Sequence, residues 1–158
     1  MRKAILTTVV ALLGTIVSPA NADPIKFARY PHSSNGQIAF SYHGDIWVAE
    51  DDGGNARRLT AHVANDTFPR FSPDGNWIAF TSNRMGNNDV FVVSVNGGVP
   101  RQLTFHTTND TVQYWTPDGE RIIFSTSRGT HAFYTPLYSV SRMGDLPVSM
   151  GMDQGAAG

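Results

Sequence analysis

The chain has no cysteine. That absence excludes a disulfide framework, a thiolate metal site and a cysteine nucleophile. It also lacks a surplus of charge: 12 Lys and Arg face 13 Asp and Glu, a formal net charge of -1, so there is no field to gather nucleic acid or an anionic membrane surface. No Asp-x-Asp-x-Asp spacing is present to bring together the roughly six to eight oxygens that calcium requires. No Gly-x-Ser-x-Gly elbow announces a serine nucleophile. Neither a metal nor a cofactor is assigned on these grounds.

Long apolar runs are scarce as well. The one run of note, from about Ala4 to Val17, is shorter than the ~20 residues a membrane-spanning helix needs. Arg2 and Lys3 precede it and Ser18-Pro19-Ala20-Asn21-Ala22 follows. A positive end, an apolar centre and small residues at a cleavage site are the three parts of a secretory signal peptide. The sequence therefore predicts a signal peptide over residues 1–22, cut after Ala22, and a mature chain from Asp23 in a periplasm or outside the cell. With no cysteine after the apolar run, lipid anchoring is excluded.

What is present points to β-structure. Of 158 residues 41% are hydrophobic and 16% charged, an ordinary globular composition. Fifteen Gly, nine Pro and a full set of aromatics favour short strands joined by tight turns. The mature sequence repeats itself at an offset of 44 residues. Arg58-Leu59-Thr60-Ala61-His62 returns as Gln102-Leu103-Thr104-Phe105-His106, and Asn65-Asp66-Thr67 as Asn109-Asp110-Thr111. Phe71-Ser72-Pro73-Asp74-Gly75 returns as Trp115-Thr116-Pro117-Asp118-Gly119, Asp45–Val48 as Asp89–Val92, and Gly53-Gly54 as Gly97-Gly98.

Each part of the repeat reads as one strand or turn. Pro-Asp-Gly at 73–75 and 117–119 is hairpin chemistry joining strands A and B. Ile38–Phe40, Trp77–Phe80 and Arg121–Phe124 read as strand B, buried on both faces. Asp45–Ala49, Asp89–Val93 and Leu137–Val140 read as strand C, and the Gly-Gly turns lead into strand D. A four-stranded antiparallel unit of this length is the blade of a β-propeller. The fold class is thus all-β, with a partial propeller over 23–158: strands B to D of one blade, a full blade and part of a third, the N-terminal portion of a larger ring.

The stretches from Ile38 to Thr60 and from Phe68 to Asn83 resemble the repeat shared by the Tol-system periplasmic propeller protein and the N-terminal propeller of tricorn-type proteases. Gly97-Gly98-Val99-Pro100-Arg101-Gln102-Leu103-Thr104-Phe105-His106, Trp115–Gly119 and Leu137–Val140 are more similar to the tricorn type, and the resemblance covers about residues 28 to 150. It implies the N-terminal propeller of an exported serine peptidase, gating or docking polypeptide substrate for a catalytic domain outside this chain. The rival it leaves open is a non-enzymatic periplasmic propeller that binds proteins. No family catalytic motif is matched, and no catalytic residue is assigned. The implied partners are a polypeptide substrate or protein and the remaining domains of the full-length protein.

Repetition removes the tempting candidates. His62 and His106 occupy one position of successive units, as do Asp66 and Asp110; residues that recur with the blade belong to its architecture. Asp66 and Asp110 read as local loop hydrogen bonding, Asp45 and Asp89 as acceptors of backbone N–H groups. Arg57, Arg58, Arg84, Arg101 and Arg128 read as rim salt bridges. The spacing from strand B to strand C grows along the chain, and the longest connection runs from Arg128 to Pro136. Within it Arg128, His131, Phe133 and Tyr134 are the candidates for contact with a peptide or partner.

Overall fold

The structure is a computed structural model that describes residues 27–128 and 135–151. Among the described residues twelve strands make three antiparallel sheets of four, each in sequential order. The first sheet holds β1 (Arg29–Ser34), β2 (Gln37–Tyr42), β3 (Asp45–Glu50) and β4 (Arg57–Arg58). The second holds β5 (Asp66–Phe71), β6 (Trp77–Ser82), β7 (Asp89–Ser94) and β8 (Arg101–Gln102). The third holds β9 (Asp110–Trp115), β10 (Arg121–Thr126), β11 (Leu137–Ser141) and β12 (Val148–Ser149). The sheets are successive blades of a propeller that these three do not close.

The first blade carries four strands, not the three expected, because Arg29–Ser34 pairs along β2. Its residues are mostly exposed and lack apolar alternation, so strand periodicity could not reveal it. The third blade is also complete: Tyr138 and Ser139 pair with Ser149 and Val148. Turn chemistry closes the A–B hairpins of the second and third blades. Gly75 and Gly119 sit at φ 72° and 71°, and Asp74 and Asp118 accept from the backbone N–H two residues on, at 3.0 and 2.9 Å.

Strand alternation sends each face of the middle blade to a different neighbour. Ile78, Phe80, Phe91 and Val93 pack with Ala39, Ile46, Val48 and Leu59 of the first blade. Ala79, Val90, Val92 and Leu103 pack with Val112, Trp115, Ile122, Phe124 and Val140 of the third. Phe80 and Phe124 are fully buried, each worth about 1.5–3 kcal/mol of apolar burial. The first strands lie side by side, β1 against β5 and β5 against β9, on the side where a propeller has its central channel.

Polar groups add stitches between blades. Arg57 donates to the carbonyl of Val95, and Arg101, 44 residues on, to those of Arg142 and of Met143. Thr81 Oγ1 accepts the Val112 N–H at 2.9 Å. Arg70 Nε donates to Gln113 O at 2.7 Å and Trp115 Nε1 to Arg70 O at 2.9 Å. These two bonds tie β5 to β9 in both directions.

Candidate functional site

The B–C connections and the D–A loops share one end of the blades, and there the three blades differ most. In the second, Arg84 reaches back to Asp66 with Nη2 at 2.9 and 2.7 Å from the two carboxylate oxygens. Ser82 Oγ accepts from Arg84 Nε at 2.9 Å, and the guanidinium lies over Phe80 and Phe91, 5.4 and 4.8 Å from the ring centres. The third blade repeats this 44 residues on: Arg128 is 2.5 Å from Asp110 and lies over Phe124 and Tyr138, 5.6 and 5.8 Å from the ring centres. Asp66 and Asp110 are fully buried. A buried carboxylate is tolerable only with such a partner.

Asp66 and Asp110 are therefore not loop acceptors, as their Asn-Asp-Thr setting suggested. Each is the buried half of an ion pair that spans a hairpin, 18 residues in sequence. The aligned offsets of Asp66 with Asp110 and Arg84 with Arg128 carried that signal. Of the residues singled out for partner contact, Arg128 lies at the root of the longest B–C connection with its guanidinium held by Asp110. His131, Phe133 and Tyr134 lie outside the described residues.

The repeated histidines are structural. His62 Nδ1 accepts the Ala64 N–H at 3.0 Å, and His106 Nδ1 the Thr108 N–H at 3.2 Å. Asp45 accepts the His62 N–H at 3.1 Å and pairs with Arg58 at 2.6 Å. Asp89 accepts from the Thr104 hydroxyl and the Gln102 amide, each at 3.1 Å; burial is the main cause that raises its pKa. Among the described residues no three His, Cys, Asp or Glu side chains gather as a metal site.

The first blade has neither half of the ion pair. By register Ala28 and Gly44 stand where Asp66 and Arg84 stand in the second. Its B–C connection is only His43-Gly44, at φ 50° and 85°, the two positive values of a type I′ hairpin. So short a turn cannot fold back over the start of β1. The result is a pocket of about 680 Å³ between the first two blades, lined by residues that include Arg29, Tyr30, Ser41, Phe68, Asn83 and Asn88. The growing B–C spacing in the sequence marks this connection as the shortest of the three, and a site at the short connection lies opposite to the expectation that the long one carries function.

Two aromatic residues mark the pocket. Tyr30 and Phe68 sit in bulges of β1 and β5, each followed by proline, with rings 4.0 Å apart between centroids. Both have left-handed backbones, φ 55° and 51°. That conformation is costly for a bulky residue and is kept only where the surroundings impose it. At the same bulge of the third blade stands Gln113, beside a fully buried Val112.

A family model described as the tricorn protease N-terminal beta propeller domain matches residues 25–158. Tricorn protease homolog 1 of Streptomyces coelicolor is 42% identical over 60 residues, 38% of this chain and 6% of that protein. A TolB homolog of Chlorobium luteolum is 43% identical over 58 residues, 34% of this chain and 13% of that protein. In solved structures, the tricorn protease superposes with a TM-score of 0.68 at 23% identity, covering 78% of this chain and 13% of that one. A TolB from Agrobacterium tumefaciens gives 0.62 at 22%, covering 72% and 44%. The two structural likenesses carry the fold alone, and the matched segments span only 6% and 13% of those curated relatives' length.

Proposed function

The chain belongs to the family of tricorn protease N-terminal β-propeller domains, and on that premise we propose that it is the propeller portion of an exported serine peptidase. Its blades dock or gate polypeptide substrate at the end that carries the B–C connections, and chemistry takes place in a catalytic domain elsewhere in the natural protein. The observation that carries this reading is the family match across residues 25–158, supported by blades whose recurrent polar residues are consumed by architecture. Repeated residues engaged in this way, His62 and His106 in their loops and Asp66 and Asp110 with Arg84 and Arg128, suit a scaffold that presents a binding surface.

Export rests on the leader-like residues 1–22 and places the mature protein in the periplasm or beyond it. Two measurements test the proposal. The natural protein recovered from the periplasmic or secreted fraction should begin at Asp23; an intact Met1 would count against export. It should also cleave an unfolded protein and take up a serine-directed phosphonate probe. Binding of unfolded protein with neither labelling nor cleavage would sink the peptidase part and favour a non-enzymatic, Tol-like propeller.

A further inference from the structure

The pocket between the first two blades has the makings of a ligand site. Asp66 lines it, but its charge is neutralised by Arg84. Arg29 also lines it, is exposed, and makes no ion pair among the described residues. The lining therefore carries one uncompensated positive charge. Ser41 is 6% exposed, and its Oγ has no hydrogen-bond partner. Its counterpart Thr81 accepts the Val112 N–H, whereas no such bond joins Ser41 to Phe68, 44 residues before Val112. A buried hydroxyl left open is costly. Beside it stand the Tyr30–Phe68 ring pair and the side-chain amides of Asn83 and Asn88.

We propose that this pocket binds an aromatic side chain of an extended, acidic polypeptide segment, with Arg29 meeting the segment's neighbouring carboxylate. An aromatic ring gains by stacking edge or face against the existing pair. A guanidinium recognises a carboxylate by charge-assisted hydrogen bonds. Asn83 Nδ2 and the Asn88 amide can satisfy main-chain groups of the segment, Asn83 Oδ1 being taken by the Asn65 N–H. The proposal rests on the polypeptide-docking reading above and gives it a location and a preferred residue class.

The test uses the full natural protein and a fluorescein-labelled, terminally blocked peptide Ala-Asp-Phe-Asp-Ala, followed by anisotropy. The peptide should bind, and Arg29→Gln, a surface change that removes no internal contact, should weaken it about tenfold. Replacing the peptide's Phe by Ala, or Phe68→Gly in the protein, should each weaken it by about tenfold or more. Glycine accepts the φ of 51° at position 68. Raising salt should weaken the parent and spare the Arg29→Gln variant. Equal binding by parent and Arg29→Gln, or by the Phe and Ala peptides, overturns the proposal. If an unfolded protein binds while the peptide does not, the pocket assignment fails and the docking reading survives; if neither binds, both fail.

Discussion

Removing Arg84 should do far more damage than its place near the surface suggests. Asp66 is fully buried, and both of its oxygens lie within 2.9 Å of Arg84 Nη2. Arg84→Met keeps the aliphatic stem over Phe80 and Phe91 but strands a buried carboxylate. Breaking such a pair from one side costs about 3–5 kcal/mol. At roughly 3 °C per kcal/mol for a domain of this size, the melting point should fall by about 10–15 °C. Asp145→Asn is the control, because its pair with Arg121 is 37% and 29% exposed and such pairs contribute about 0–1 kcal/mol. The double variant Asp66→Asn, Arg84→Met removes the stranded charge and should recover about 1–3 kcal/mol of the loss. Urea unfolding followed by tryptophan fluorescence measures all four proteins. If Arg84→Met costs no more than Asp145→Asn, or the double variant is no better than the single, the ion pair does not hold the hairpin and the reasoning is wrong.

Three further outcomes follow from the same contacts. Asp74 has its pKa lowered to about 2, chiefly by the Ser72 hydroxyl and then by the Asn76 N–H and amide. Its folded value lies below the unfolded one, so its stabilisation is present above about pH 4 and lost as the pH falls through about 2; the melting difference between the parent and Asp74→Ala should shrink towards zero across that window. His32 has its pKa lowered by burial and then by Arg70, and its Nδ1 accepts the Phe71 N–H at 3.2 Å. Protonation is thus resisted by the fold, and below its ordinary 6.5 acid should progressively loosen the first two blades; the protection factor of the Phe71 amide, taken against its intrinsic exchange rate at each pH, should fall there, whereas a pH-independent protection factor would refute the assignment. Gly75 and Gly119 hold φ of 72° and 71°, so Ala at either should cost about 1–2 kcal/mol of backbone strain; the atom a Cβ at Gly75 would meet, Asn35 Nδ2 at 2.6 Å, ends a side chain that can swing away, so the two losses should be similar by the same melt, and a much larger loss at Gly75 would show that Asn35 is fixed.

The middle strands were legible because they are buried on both faces and bounded by Pro-Asp-Gly and Gly-Gly. The innermost strand of the first blade was not. Arg29–Ser34 carries Arg, His, Pro and two Ser, which face the open side and leave no periodic signal. The ion pairs escaped for another reason. Aspartate in Asn-Asp-Thr looks like a turn residue, and only its register with an arginine across a hairpin reveals that it is buried. The pocket is a deficit in a repeat, visible as a connection too short to carry the arginine its successors carry. Reading repeats for what recurs finds scaffold, and reading them for what one unit omits finds the opening.

The arginine stitches at Arg57 and Arg101 point the same way along the chain, each from the last strand of a blade to a carbonyl of the blade that follows. The last donors of each blade are therefore satisfied only by its successor, while Trp115 and the Val112 N–H of the third blade donate back to the second. A fault in one blade would thus leave unpaired groups in the blade before it as well as in its own ladder.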